Sequence, residues 1–175
     1  KIEHLLVGDV VLVNLETAAS NRSLDELGVK RSKRGLTFQA NTAELNGLRA
    51  SGVTAVSLAN NHAEDCGDSA MLETLDLTAK ANLFSAGVAR DADPFKPTRW
   101  DIRDGVVALF SATTKRNRGS PFPDAKAQLA FKPFKEMGRF LPEIIQSYRK
   151  DHPDELIIVS LHWGSEGAAR PYPGQ

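Results

Sequence analysis

Residues 57–67, SLANNHAEDCG, place two asparagines, a histidine and two acids directly after a short apolar run. Amide, imidazole and carboxylate groups side by side can bind a divalent metal or a phosphoryl group. A capped surface turn is the plainer alternative, because Asn60 and Asn61 both tolerate the left-handed backbone conformation. His62 and Asp65 can also form a hydrogen-bonded pair at the start of a helix. Taken alone, the segment leaves these interpretations open.

Two other polar groups follow apolar runs in the same way. Glu16 comes shortly after DVVLVN (9–14), and His162 comes directly after ELIIVSL (155–161). Ligands of open α/β sheets bind at the carboxyl ends of strands, where loops and helix N-termini point into one crevice. If the strands are parallel, we therefore expect Glu16, Asn61 and His162 to lie on one rim.

These three residues offer a carboxylate oxygen, an amide oxygen and an imidazole nitrogen, and His62 is a further candidate ligand. The mixture suits Mn, Fe or Zn better than Ca or Mg, which seldom accept histidine. Each residue also has a purely structural alternative. Glu16 can be the acidic end of a strand that enters a loop, and 162–164 can be an aromatic residue packed over a glycine turn.

Periodicity predicts the elements that position these groups. Apolar runs rich in β-branched residues predict buried strands at 9–14, 54–59 and 155–161. Helical periodicity predicts helices over 42–52 with Thr42 as N-cap, over 69–81, and over 133–150 with Pro142 inside. Alternation of strand and helix implies right-handed crossovers and an α/β fold with a largely parallel sheet.

The remaining segments are less regular. LFSAG (83–87) indicates a weaker strand, and 98–112 indicates two strands joined by the Asp-Gly turn at 103–105. Residues 18–35 and 113–128 lack periodicity and are typical of loops that cover a site.

The composition is that of one ordinary globular domain over residues 1–175. With 22 basic and 22 acidic residues the net charge is zero, which gives no argument for a nucleic-acid partner. The basic groups of two loops are either solvated or suited to gripping a polyanion. They are Lys30, Arg31, Lys33 and Arg34 in the first loop and Lys115, Arg116 and Arg118 in the second.

The single cysteine, Cys66, can form no intrachain disulfide and is more typical of a packing residue than of a nucleophile beside His62. The sequence has no apolar run long enough to span a membrane. It begins at Lys1 rather than at a methionine, so we expect a processed or excised piece of a longer protein.

Three segments in this order, VVLVNLET, GVTAVSLANNHAEDCG and LIIVSLHWGSEG, resemble the CapA family of bacterial capsule and poly-γ-glutamate synthesis proteins. The resemblance extends to LTFQA before the first predicted helix and AGVARD after the second. The fold of this family is similar to that of calcineurin-like metallophosphoesterases. The resemblance therefore implies a layered α/β sandwich with a largely parallel or mixed sheet.

The resemblance also implies roles for individual residues around two divalent metal ions. Glu16 matches a bridging carboxylate, Asn61 and His162 match metal ligands, and His62 matches an outer acid or transition-state stabiliser. The residues expected to orient the ligands from outside are Asn60, Asp65 and Glu166.

Two family motifs are missing. The Gly8-Asp9 pair resembles the family's opening Gly-Asp motif but lies on the same predicted strand as Asn14. The late Gly-x-His-x-His motif is absent. We therefore expect a fold truncated at both ends, weak metal binding, and exposed sheet edges that favour a homo-oligomer.

Two functions follow as hypotheses. The first is metal-assisted hydrolysis or transfer at a phosphoester or amide, in synthesis, release or anchoring of an anionic polymer such as poly-γ-glutamate. The second is a non-catalytic polymer-binding or scaffold subunit of a membrane export complex, whose basic loops hold carboxylates. The resemblance implies the cell envelope and membrane-bound capsule synthesis partners. Strand-end motifs that are only turns remain the structural alternative.

Overall fold

The computed structural model describes residues 6–29, 36–117, 122 and 124–164 of the chain. Its helices are α1 (Thr42–Ala50), α2 (Asp68–Lys80) and α3 (Phe134–Asp151). Its strands are β1 (Leu12–Asn14), β2 (Ala18–Ala19), β3 (Gln39–Ala40), β4 (Ala55–Ser57), β5 (Phe84–Ala86), β6 (Val88–Arg90), β7 (Thr98–Ile102), β8 (Gly105–Thr113), β9 (Ala127–Leu129) and β10 (Leu156–His162).

Two three-stranded sheets form the centre of the fold. The first is parallel throughout and has the order β1-β4-β5. In the second, β8 lies in the middle, parallel to β10 and antiparallel to β7. The small pairs β2-β3 and β6-β9 lie outside these sheets. The predicted α/β sandwich with parallel and mixed sheets is confirmed.

The two main sheets face each other across an apolar layer. Leu12 of β1, Leu109 of β8 and Ile158 of β10 belong to one cluster in this layer. Side chains of a strand alternate between its faces, so the inward face of β1 continues from Leu12 to Asn14. The inward face of β10 continues in the same way from Ile158 to His162. Both inward faces therefore end in polar groups.

Helices cover the outer face of each sheet. Val56 of β4 belongs to a second apolar cluster, together with Leu45 of α1 and Met71 of α2. On the other sheet, Phe110 of β8 packs edge-on against Tyr148 of α3, with ring centroids 5.2 Å apart. The layers are thus helix, sheet, sheet and helix.

The two sheets are in hydrogen-bond contact near the carboxyl end of β4. The hydroxyl oxygens of Ser57 and Ser111 lie 2.7 Å apart, and the Ser111 hydroxyl also accepts a hydrogen bond from the backbone N–H of Ala59. Gly87 fits against them with φ +99°, and a Cβ at this position would lie 2.5 Å from the Ser111 Oγ. Only very small side chains allow this approach.

The first helix begins one residue earlier than its predicted cap implies. Asn41, not Thr42, is its N-cap, with extended backbone and a side chain that accepts from the backbone N–H groups of Ala43 and Glu44. The Glu44 carboxylate accepts from the Asn41 N–H and completes a capping box. Asparagine is a stronger N-cap than threonine, which explains the difference.

The other helices agree closely with periodicity. Helix α2 begins at Asp68, and α3 continues through Pro142 over 18 residues. The segments predicted as loops contain β2 and β9, whose two and three residues are too few to show a period. Among the described residues, no helix combines the length and apolarity that crossing a membrane requires.

Glu155 joins three elements at the end of the sandwich where β10 begins. It forms ion pairs with Arg99 and His152 and accepts a hydrogen bond from the Tyr148 hydroxyl. Hydrogen bonds from Arg99 and Tyr148 lower the pKa of Glu155 to about 2. An unfolded glutamate titrates near pH ~4.3, so the ionised Glu155 stabilises the fold at neutral pH. This stabilisation is lost as the pH falls from about 4.3 towards the folded pKa of about 2.

The close approach of the sheets predicts that Gly87→Ala is strongly destabilising. Overpacking against Ser111 and Ala59, together with a strained positive φ, should lower the free energy of unfolding by about 2–5 kcal/mol. Gly28→Ala is the matched control, since Gly28 has φ +68° and open space around its Cβ position. The control should cost about 1 kcal/mol. Urea unfolding followed by tryptophan fluorescence measures both, and equal losses would contradict the packing argument.

Candidate functional site

A cavity of about 310 Å³ lies at the carboxyl ends of the strands. Three residues predicted from the sequence line it: Glu16 after β1, Asn61 after β4, and His162 at the end of β10. The first two follow strands of one sheet and the third ends a strand of the other. The structure therefore brings the three predicted ligands to one place, across the gap between two sheets.

Glu16 and His162 form the centre of the site. The Glu16 Oε1 lies 3.9 Å from the His162 Nε2, and 45% of the Glu16 side chain and 24% of the His162 side chain are exposed. Asn14 holds the carboxylate by donating a hydrogen bond of 3.0 Å to the Glu16 Oε2. The separation leaves the facing carboxylate oxygen and imidazole nitrogen without a direct hydrogen bond to each other.

Asn60 ties the turn after β4 to the end of β1. Its amide nitrogen donates to the backbone oxygen of Leu15 at 2.8 Å and to the Asn14 Oδ1 at 3.2 Å. Its amide oxygen accepts from the backbone N–H of His62 at 3.0 Å. Asn60 is fully buried, so these bonds fix the backbone on both sides of Asn61. The role of Asn60 in orienting metal ligands stays a prediction.

His62 pairs with Asp65. The His62 Nδ1 lies 2.7 Å from the Asp65 Oδ2, and the imidazole packs against the Phe38 ring at 4.3 Å. The same carboxylate oxygen accepts from the Phe38 backbone N–H. His62 is buried and is absent from the described residues that line the cavity. The hydrogen-bonded pair at the turn is thus present, and the role of His62 as an outer acid stays a prediction.

The segment after β8 forms the other wall of the cavity. Lys115, Arg116 and Asn117 line it, and the Asn117 Oδ1 accepts a 3.2 Å hydrogen bond from the amide nitrogen of Asn61. That hydrogen bond uses the amide nitrogen of Asn61, whereas a metal ion would bind the amide oxygen. The sequence predicts Lys115 and Arg116 to be loop charges that are either solvated or suited to gripping a polyanion, and it predicts no role for Asn117. The signal that places them at the cavity is that they follow β8, a strand parallel to β10.

Arg116 is neutralised by a buried carboxylate. Its Nε and Nη2 lie 2.5 and 2.6 Å from the two oxygens of Glu64. Only 12% of the Arg116 side chain and 5% of the Glu64 side chain are exposed. The guanidinium also lies 5.3 Å from the centre of the Phe131 ring. Arg116 is therefore held in place and contributes little net charge to the cavity.

Cys66 lies inside the fold, as its packing interpretation predicts. Burial raises the pKa of the Cys66 thiol to about 11, and Asp65 adds to this shift. Its Sγ lies 3.5 Å from the backbone oxygen of Phe38, to which it donates. A protonated, buried thiol is a poor nucleophile at neutral pH.

Several predicted residues lie outside the part of the chain that the structure describes: Glu166 and the basic residues Lys30, Arg31, Lys33, Arg34 and Arg118. Within the described part, no group of three or more histidine, cysteine, aspartate or glutamate side chains is arranged to hold a metal ion. The predicted ligand set there consists of one carboxylate, one imidazole and one amide.

The fold and site together define a layered α/β sandwich protein whose polar groups collect at strand ends. The chain belongs to the family described as bacterial capsule synthesis protein PGA_cap, whose model matches residues 2–175. It is similar to the PGA biosynthesis protein CapA of Bacillus subtilis (strain 168), with 30% identity over 139 residues. That match covers 78% of this chain and 35% of the relative, so the chain spans about a third of the relative's length. The predicted membership of the CapA family is confirmed.

The buried Glu64–Arg116 pair should be strongly coupled in a double-mutant cycle. Arg116→Met alone leaves a buried carboxylate without its partner and should cost about 3–5 kcal/mol of unfolding free energy. Adding Glu64→Gln should recover much of that loss, because the stranded charge is removed. Urea unfolding of the two single variants and the double variant measures the coupling.

The exposed pair Arg139–Glu143 on α3, 3.5 Å apart, is the matched control for this cycle. Its coupling energy should be about 0.5 kcal/mol or less. A Glu64–Arg116 coupling as small as that of the exposed pair would contradict the assignment of a rigid, neutralised arginine.

Proposed function

We propose that this chain carries a metal-dependent site of a capsule synthesis protein, which hydrolyses or transfers a phosphoester or amide of an anionic polymer such as poly-γ-glutamate. The observation that carries the proposal is the 3.9 Å approach of Glu16 to His162 from two different sheets. Family membership supports the assignment to capsule biosynthesis. The name of the B. subtilis relative, a PGA biosynthesis protein, supports the choice of polymer.

The donor set fits one divalent ion. A carboxylate oxygen, an amide oxygen and an imidazole nitrogen together suit Mn, Fe or Zn, with remaining positions left for water and substrate. A second ion needs donors beyond Glu16, Asn61 and His162. The two-ion site implied by the family would therefore need ligands from outside the described residues.

An ion held by these residues would act as a Lewis acid on a phosphoryl or carbonyl oxygen. The chain itself orients the ligands: Asn14 holds the Glu16 carboxylate, and Asn117 holds the Asn61 amide. Asp65 holds the buried His62 ring through Nδ1, so any role of His62 as an outer acid would use Nε2.

A non-catalytic polymer-binding or scaffold subunit of a membrane export complex is the second candidate. The observation that favours it is that no group of three or more histidine, cysteine, aspartate or glutamate side chains in the described part of the chain is arranged to hold a metal ion. Both candidates share an anionic polymer, membrane-bound synthesis partners and the cell envelope as proposals. Within the described chain β1, β5, β7 and β10 each pair on one side only in the main sheets, and β10 is the longest of these edges through which a homo-oligomer would form.

Metal titration tests the first candidate. The wild-type chain should bind about one Mn²⁺ in isothermal titration calorimetry, and Glu16→Gln and His162→Gln should each weaken binding by about tenfold or more. Asp104→Asn is the control, since Asp104 is an exposed acid in the β7–β8 turn, where β8 begins. It should bind Mn²⁺ like the wild type.

Identical Mn²⁺ affinity in all four proteins would exclude the assigned ligands. Wild-type protein that binds no metal, yet binds poly-γ-glutamate equally well with and without Glu16→Gln, would establish the second candidate instead.

A further inference from the structure

We propose that Lys115 binds the anionic group of the substrate, an oxyanion such as a carboxylate or a phosphate, next to Glu16 and His162. The proposal deepens the proposed function and rests on it, because it names the substrate chemistry of the same cavity. Lys115 lines that cavity together with both residues. It follows β8, the strand that pairs in parallel with β10.

The position of Lys115 is fixed by the same hydroxyl that fixes His162. The Thr113 side chain is fully buried, and its Oγ1 accepts from the Lys115 backbone N–H at 3.0 Å. The hydroxyl also lies 3.0 Å from the Lys115 backbone oxygen and 3.1 Å from that of His162, to which it can donate. A further bond of 2.9 Å joins the Thr114 N–H to the His162 backbone oxygen. Lys115 and His162 are therefore held in register.

The charge on Lys115 is available to a ligand. Arg116, the neighbouring cation, is bound bidentately by Glu64. Lys115 forms no ion pair with any carboxylate of the described residues, although it is only partly exposed. A partly buried ammonium gains free energy when an oxyanion replaces the water it has lost. Arg116 is thus a structural cation, and Lys115 is the cation that can bind substrate.

Glu16 explains why anion binding should depend on the metal. Its carboxylate shares the cavity with Lys115 and repels an incoming oxyanion. A divalent ion on Glu16 and His162 would reverse the sign of that interaction. Lys115 then holds the charged group of the substrate while the scissile centre lies towards the metal ligands.

The chemistry of the two proposed substrate classes agrees with a point charge at this position. A γ-linked glutamate polymer carries a carboxylate on every residue, and a phosphoester carries its charge on the phosphoryl oxygens. Lysine binds either group without demanding the planar, two-point geometry that arginine prefers. Lys115 therefore suits a carboxylate and a phosphate equally, and the test below uses one probe of each kind.

The test is calorimetric titration with two probes, inorganic phosphate and N-acetylglutamate, on Mn²⁺-loaded protein. Lys115→Met and Lys115→Gln should weaken binding of the preferred probe by about tenfold or more, since a charge-assisted contact is lost. They should leave the Mn²⁺ content and the unfolding midpoint at the wild-type values. Lys80→Met is the matched control, because Lys80 is exposed at the end of α2 and does not line the cavity.

Raising the salt concentration should weaken probe binding to the wild type more steeply than to Lys115→Met. The probe with the larger loss identifies the oxyanion as carboxylate or phosphate. Equal affinities of wild type and Lys115→Met, or an equal loss in Lys80→Met, would overturn the proposal. Titrations in EDTA separate it from the proposed function: probe binding should be weaker without metal because Glu16 repels the oxyanion, but a remaining loss of affinity in Lys115→Met supports Lys115 even if the wild type binds no Mn²⁺.

Discussion

The two central sheets share one rim because they approach closely where β4 meets β8. Ser57 and Ser111 are in hydrogen-bond contact across the sandwich, and Gly87 occupies a position that no Cβ could share. A larger side chain at any of these places would hold the sheets apart. Glu16 follows the inward face of β1 and His162 ends the inward face of β10, so their distance is set by the separation of the sheets. The site therefore depends on contacts between very small residues below it.

The charged groups that line the cavity determine which ligands it can bind. Two of these groups, Lys115 and Arg116, are neighbours in sequence but differ in their partners. Arg116 is neutralised by Glu64 and forms part of the cavity wall, whereas Lys115 lines the cavity without an ion pair to any carboxylate of the described residues. Asn60 and Asn117 orient neighbouring groups without adding charge. The result is a cavity lined by a carboxylate, an imidazole and an ammonium group, a combination that suits the proposed metal ion and anionic substrate.

Local signals in the sequence predicted much of this arrangement. Apolar runs followed by polar groups predicted the positions of Glu16, Asn61 and His162. Ligands of α/β sheets bind at the carboxyl ends of strands, and this rule applies without knowing which strands pair. The same rule applies to the end of β8, but the charged residues that follow it also have the pattern of a loop, and that pattern conceals their place at the cavity. Whether a cation is free or paired depends on contacts distant in sequence, such as Arg116 with Glu64, and no periodicity reveals these. The contact between Ser57 and Ser111 is hidden for the same reason.

Coordination of a metal ion by His162 is the central claim, and electron spin-echo envelope modulation of the Mn²⁺-loaded protein tests it most directly. We predict nitrogen-14 modulation from a directly bound imidazole in the wild type, its loss in His162→Gln, and its retention in His152→Gln. His152 caps the carboxyl end of α3 and pairs with Glu155 just before β10 begins, so it serves as the histidine control. Modulation that persists in His162→Gln, or that never appears in the wild type, would contradict the account.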